Sequence, residues 1–251
     1  MPAKNVIKEY QEKSYYHLYN RGVAKNEIFP DEDDYKTFLG YLKLYLSATN
    51  LQGLSLKVPP SHKLKNYLEQ IKLLAYCLMP NHFHLLIYQQ NSDDINFFMR
   101  SLCTKYSMYF NRKYHRVGHV FQGSYKGVLV SSEQQLVYLS KYIHRNPKEL
   151  LPSRIILEGY KYSSYGNYLG LFNQPWIKTD DISNLFSRGN SYKSFVEETD
   201  ERDLPTIKDL LIEEIWPSGI ILEGVSVKDF GQRRDRFGHG LISSPGRWES
   251  R

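Results

Sequence analysis

The segment LLAYCLMPNHFHLLIY, from Leu73 to Tyr88, constrains this chain more than any other. It is apolar, rich in residues that favour extended backbone, and interrupted once, at Met79-Pro80-Asn81. Proline presets the backbone angle of a turn and asparagine tolerates turn geometry, so the segment reads as two strands joined tightly. Side chains alternate faces along a strand. His82 and His84 therefore share a face with Leu86 and Tyr88, while Phe83, Leu85 and Ile87 take the other. One face is left for chemistry and the other for core.

Two imidazoles on neighbouring same-face positions can converge on a divalent ion, because neutral ring nitrogens are good ligands and a strand fixes their directions. The pair alone equally describes two hydrogen-bonded histidines on a half-exposed strand, and it names no third ligand. A second segment bears on the choice. Ser132, with Gln135 three residues on and Glu133 between them, predicts a helix start. Leu136, Leu139 and Ile143 recur at helical spacing as its buried stripe. Tyr142 and Asn146 lie four residues apart, hence on one face, at the edge of that stripe. Pro147 disfavours helical geometry in the residue before it, so the helix is expected to end at Asn146. A tyrosine there is ordinarily a packing residue, and its combination with the histidine pair gives it a second reading.

The rest of the chain sets the fold class. A first strand spans Tyr15 to Tyr19 and ends at Asn20-Arg21-Gly22. Asp31 to Asp34 begin a helix whose buried stripe is Tyr35, Phe38, Leu39, Leu42 and Leu46. Leu51 to Ser61, with Gly53 and Pro59-Pro60, reads as a loop, and Lys63 to Ile71 as a short helix. Ile95, Phe98, Met99, Leu102, Tyr106 and Tyr109 mark a further helix, and a short strand is expected at Val117 to Val130. This order predicts an α+β fold, a single antiparallel sheet with helices packed on it. Thr179 to Phe186 and Ser191 to Glu198 read as two short helices. From Trp216 onward, Gly, Ser, Pro and Arg without periodicity read as an extended tail, in which Arg233, Arg234 and Arg236 are candidate phosphate contacts.

Charge narrows the partner. The chain of 251 residues, 41% hydrophobic, can bury a full core, and its net charge of +6 favours a polyanion. No Asp or Glu lies between Asp94 and Glu133, while Arg100, Lys105, Arg112, Lys113, Arg116 and Lys126 do. Such a run is either a phosphate-facing surface or a solvated helix face. Tyr114, Phe121 and Tyr125, interleaved with it, are candidate platforms for unstacked bases. His115 and His119 read as ordinary loop residues, and Arg21 as a turn residue able to reach a phosphate. Cys77 and Cys103, in no pairing motif, suit small buried hydrophobes in a reducing cytoplasm. The start MPAKNVIKEYQEK lacks the apolar core of a signal peptide and no run approaches a membrane span, so a cytoplasmic protein is expected.

Six motifs then carry a resemblance: YHLYNRG (Tyr16 to Gly22), PDEDDYKTFL (Pro30 to Leu39), AYCLMPNHFHLLI (Ala75 to Ile87), GHVFQGSYK (Gly118 to Lys126), YIHRNP (Tyr142 to Pro147) and YSSYGNYLG (Tyr162 to Gly170). In this order they resemble the single-tyrosine HUH transposases, the REP-associated and IS200-like branch, from about Tyr15 to Gly170 and more weakly to Ile215. The resemblance implies a ferredoxin-like (RRM-like) sheet. It implies a catalytic domain over 1–170, an accessory helical module over 171–215 and a basic tail over 216–251. It makes Tyr142 the nucleophile and gives His82, His84 and Asn146 a Mg²⁺ or Mn²⁺ ion to hold. Its substrate is single-stranded DNA beside a hairpin, cleaved and rejoined through a 5′-phosphotyrosine, by a monomer or homodimer. Arg21, Lys105, Arg112, Lys113, Arg116, Tyr125 and Lys126 are then the expected DNA contacts. A metal-dependent phosphohydrolase and a non-catalytic binding module are the competing functions.

Overall fold

The apolar segments singled out by their patterning form the sheet in the computed structural model, which describes residues 10–48, 65–149, 157–186 and 191–198. Strands β1 (Ser14–Arg21), β2 (Ile71–Met79), β3 (His82–Gln89) and β4 (Lys126–Val130) lie in the order β2-β3-β1-β4, with every neighbouring pair antiparallel. Pro80 and Asn81 make the β2–β3 turn, as their chemistry predicts. The register sets Tyr19 opposite His84 and Arg21 opposite His82 across the β1–β3 pair, and Tyr19 opposite Lys126 across β1–β4. The chain divides into units 1–215 and 216–251, and all the described residues lie in the first.

One face of the sheet is the core. Tyr16, Leu18, Tyr76, Leu78, Phe83, Leu85 and Ile87 pack there against α1 (Glu32–Leu46) and α2 (Asp94–Lys113). Phe38, Leu42, Phe98 and Leu102 from the two helices are fully buried, each contributing about 1.5–3 kcal/mol over an exposed position. α1 opens with a reciprocal cap: the Asp31 carboxylate accepts from the Asp33 and Asp34 amides, and the Asp34 carboxylate accepts from the Asp31 amide. Lys113 and Tyr114 at the end of α2 then bind both carboxylates, pinning the two helices together.

The other face is covered by α3 (Glu133–Arg145), which packs on β2 and β3. Ser132 Oγ accepts from the Gln135 amide at 3.1 Å, and Gln135 Oε1 accepts from the Ser131 amide at 2.8 Å, so the expected helix start forms with its return bond one residue early. The α-helix ends at Arg145 with Asn146 as its C-cap, as Pro147 predicts, although the backbone does not turn extended there. Asn146 keeps helical angles (φ −48°, ψ −41°) and a 3-10 turn continues over Asn146–Glu149. The Asn146 side chain donates to the Tyr142 carbonyl at 3.2 Å, beside the bond that the Asn146 backbone N–H makes to the same oxygen.

Beyond α3 lie the short helices α4 (Tyr165–Tyr168), α5 (Asp180–Ser183) and α6 (Tyr192–Glu197). A buried polar chain ties them to the sheet. The Tyr76 amide donates to Ser164 Oγ (2.8 Å), which also lies 2.8 Å from His144 Nε2 and 3.3 Å from the Tyr76 carbonyl; His144 Nδ1 lies 2.7 Å from the Tyr192 hydroxyl, Tyr192 donates to Ser140 Oγ (2.9 Å) and Ser140 to the Val137 carbonyl (2.7 Å). Each polar group in the chain therefore has a partner.

Two expectations fail locally. The strand expected at 117–130 covers only Lys126–Val130, because Gly118 (φ 101°) and Gly123 (φ 74°) turn the backbone out of extended geometry, leaving one bridge between Gly22 and Phe121. Lys65 to Gln70 form no helix, only a turn before β2. Leu51 to Ser61 and the tail from Trp216 lie outside the described residues. No helix among the described residues is long and apolar enough to cross a membrane.

Candidate active site

Strand β3 delivers His82 and His84 to the face that α3 covers, and α3 delivers Tyr142 and Asn146 onto them. The Tyr142 ring stands edge-on to the His84 ring, with centroids 5.5 Å apart, and the two histidine rings are perpendicular at 5.0 Å. Asn146 Oδ1 faces His82 Nε2 at 3.5 Å. His84, Tyr142 and Asn146 are buried, at 1%, 7% and 6% exposure, and His82 is partly buried. The sequence pairing of a same-face histidine doublet with a helical tyrosine and asparagine is thus a spatial cluster.

The protonation of the site atoms follows from their partners. Asn81 Oδ1 lies 2.6 Å from His82 Nδ1, which makes Nδ1 the protonated nitrogen and leaves the Nε2 lone pair bare. Because the Asn146 amide nitrogen donates to the Tyr142 carbonyl, its oxygen is the atom turned to His82. Two lone pairs therefore confront each other with no proton between them. His84 Nε2 is buried and has no hydrogen-bond partner, a costly state for a polar atom unless a ligand fills it. Burial pushes the His82 pKa down to about 4, against a smaller upward pull from Asn146, and burial with the neighbouring His82 and His17 holds His84 well below the usual histidine range. Both imidazoles are neutral at pH 7 and competent to ligate. Among the described residues no group of three or more His, Cys, Asp or Glu converges, so a metal here would rest on two histidines and one amide.

The expected DNA contacts separate into two groups. Arg21 and Lys126 stand at the site: Arg21 is opposite His82 on β1 and donates to Gln122 Oε1 at 2.5 Å, and Lys126 is opposite Tyr19 on β4. Lys105 and Arg112 ride on α2, across the sheet from the histidines, with the Lys105 ammonium 5.7 Å from the Tyr41 ring centroid. The Arg116 guanidinium sits over Phe110 at 5.5 Å. Four of the candidate positions are instead engaged within the fold. Lys113 is committed to Asp31 and Asp34, at 2.6 and 2.9 Å, which neutralises its charge. Tyr125 is 8% exposed, its hydroxyl bonded to Asn96 and Tyr10, so its face is taken up by the core. Phe121 is likewise buried, and the Tyr114 hydroxyl is bound by Asp34 at 2.6 Å. The acid-free stretch concealed these pairings because their acidic partners lie far away in sequence, on α1.

Two residues at the site were not singled out from sequence. Asn81 belongs to the turn signal, which accounted for it fully. His17 lies on β1 within YHLYNRG, two residues from Tyr19 and therefore on the same face as Arg21. It is 1% exposed, its Nε2 is 2.9 Å from His84 Nδ1, and its ring stacks against His84 at 5.1 Å and stands edge-on to Tyr142 at 6.3 Å. Its alternation with Tyr15 and Tyr19 was the one available signal.

Comparison with known proteins adds to this geometry. Residues 10–146 match the family model described as transposase, IS200 like. A solved structure of a REP-associated tyrosine transposase bound to a REP hairpin is similar at 12% identity, covering 73% of this chain and 95% of that one, with a TM-score of 0.46. A proposed transposase of Deinococcus radiodurans R1 is similar at 17% identity over 58% of this chain and 97% of that one (TM-score 0.32). The tRNA(His) guanylyltransferase of Saccharomyces cerevisiae is similar at 7% identity over 88% and 93% (TM-score 0.35). No protein of curated function matches the chain.

Proposed function

Because the chain belongs to the IS200-like transposase family, we propose that it is a metal-dependent endonuclease and strand transferase acting on single-stranded DNA beside a hairpin, with Tyr142 as nucleophile. The observation that carries this reading is the set of potential ligand atoms, His82 Nε2, Asn146 Oδ1 and the unpartnered His84 Nε2, placed on the face that also receives the Tyr142 ring.

A free phenol, with a pKa near 10, is a poor nucleophile at neutral pH, so attack on a phosphodiester needs help. His82, His84 and Asn146 would hold a Mg²⁺ or Mn²⁺ ion, which supplies charge to polarise the scissile phosphate. Arg21 and Lys126, flanking the same face, orient the strand by its phosphates. The Tyr142 oxygen attacks phosphorus and the bond from phosphorus to the 3′-oxygen breaks. The phenolic proton passes to solvent, and the departing 3′-oxygen takes up a proton from solvent to leave as a free hydroxyl. The 5′-phosphotyrosine retains the energy of the broken bond, so the reverse attack by a 3′-hydroxyl reseals a strand without ATP.

In-line attack needs an unshielded phosphate, which supports a single-stranded substrate. The catalytic domain is assigned to residues 1–170, residues 171–215 to an accessory module that backs α3 through Tyr192, and residues 216–251 to a basic tail. The test incubates the protein with hairpin-bearing single-stranded DNA and Mn²⁺ or chelator, then separates products on a denaturing gel. A chelator-sensitive protein–DNA adduct is expected. Cleavage without adduct would instead make this a phosphohydrolase, and chelator-insensitive binding without cleavage a binding module.

A further inference from the structure

The buried pair formed by His17 and His84 has a direction that the site chemistry dictates. Their nitrogens are 2.9 Å apart, so one proton lies between them, carried either by His84 Nδ1 or by His17 Nε2. If His17 Nε2 carried it, His84 Nδ1 would accept and the His84 proton would sit on Nε2, the atom that is buried and has no acceptor. A buried N–H with nothing to donate to is the costlier arrangement.

We propose that His17 is a positioning residue: its Nε2 accepts from His84 Nδ1–H and thereby fixes His84 in the tautomer whose Nε2 lone pair is turned to the site. Its importance for metal binding rests on the function proposed above, whereas the tautomer itself does not. The geometry favours such a role on three counts. His17 is on β1, the strand between β3 and β4, so it cannot shift without disturbing pairings on both sides. It is 1% exposed, which keeps water from competing for the His84 proton. Its ring stacks on His84 with planes 17° apart, which holds the imidazole orientation as well as its proton. His82 has the equivalent device in Asn81, a side-chain oxygen 2.6 Å from Nδ1, so both proposed ligands are oriented by a neighbour on the sheet or its turn.

The experiment is long-range proton–nitrogen NMR of ¹⁵N-histidine-labelled full-length protein without metal, with Mn²⁺ affinity measured by calorimetry alongside. His84 is expected to show a protonated Nδ1 and a bare Nε2. His17→Gln, whose amide oxygen can take the place of the ring nitrogen, should retain that pattern and bind Mn²⁺ within a few-fold of the parent chain. His17→Phe should lose the single tautomer and weaken Mn²⁺ roughly 10–100-fold. A wild-type His84 protonated on Nε2 overturns the proposal without any variant having to fold. The expected tautomer in a protein that binds no Mn²⁺ would uphold the positioning role and contradict the metal-dependent function, so the two failures are distinguishable.

Discussion

Tyr192→Phe probes how the short C-terminal helices support the nucleophile helix. The Tyr192 hydroxyl is hydrogen-bonded to His144 Nδ1 and donates to Ser140 Oγ, and both partners are on α3, flanking Tyr142. Removing it leaves the ring in place, still stacked on Tyr168 at 4.5 Å and edge-on to Phe186, so no cavity opens. Ser140 keeps its bond to the Val137 carbonyl. The buried His144 Nδ1 loses its hydrogen-bond partner, which costs about 1–3 kcal/mol. A central value of about 2 kcal/mol, with a urea slope of about 2–3 kcal/mol per molar, lowers the unfolding midpoint by about 0.7–1 M. Tyr88→Phe is the control, since that hydroxyl meets only the Gln90 side chain at 3.3 Å and its removal is expected to change stability by less than about 0.5 kcal/mol. Equal midpoints for Tyr192→Phe and Tyr88→Phe would refute the polar chain as a structural tie.

Stability should also fall on mild acidification. Burial lowers the His144 pKa to about 3, below its unfolded value near 6.5, so the contribution is complete above pH 6.5 and is lost as pH falls from 6.5 toward 3. At pH 5 the loss from His144 alone is about 2 kcal/mol, and His82 and His84 shift in the same direction, so urea midpoints that did not move between pH 7 and pH 5 would contradict their burial as neutral groups. Replacing Arg21 and Lys126 by alanine should flatten the dependence of log DNA affinity on log salt by roughly 0.7 for each phosphate left without its cation, similarly for different hairpin sequences. Lys113→Ala should leave that slope unchanged and instead destabilise the fold, because it strips the fully buried Asp34 of its cation; a changed slope in that variant would return Lys113 to the DNA surface.

The hairpin of β2 and β3 was legible because proline, asparagine and a run of apolar, strand-favouring residues act over a few residues. The stripe of α3 and the capping of α1 were legible for the same reason. What the sequence could not reveal was pairing across long separations. Tyr125 reads as an exposed aromatic in a basic run until Asn96 and Tyr10 are brought to its hydroxyl. Lys113 reads as a free cation until α1 presents Asp31 and Asp34. His17 illustrates the converse case: its position on the histidine face follows from alternation, but its contact with His84 depends on the β1–β3 register, which no local signal specifies. Asn146 shows a local rule overridden, since the bias of a residue preceding proline gives way where its side chain bonds the helix end.

The central claim is that the Tyr142 oxygen becomes joined to DNA, and trypsin places the test at a convenient bond. Cleavage after Lys126, Lys141 and Arg145 separates a peptide bearing Tyr138 from the short peptide Tyr142 to Arg145. The protein is reacted with hairpin-bearing single-stranded DNA and Mn²⁺, the DNA is digested to a nucleotide stub, and the tryptic peptides are read by mass spectrometry. The stub is expected on Tyr142, through a 5′-phosphate, and no adduct is expected from Tyr142→Phe under the same conditions. A stub on Tyr138, or an undiminished adduct from Tyr142→Phe, would contradict the account.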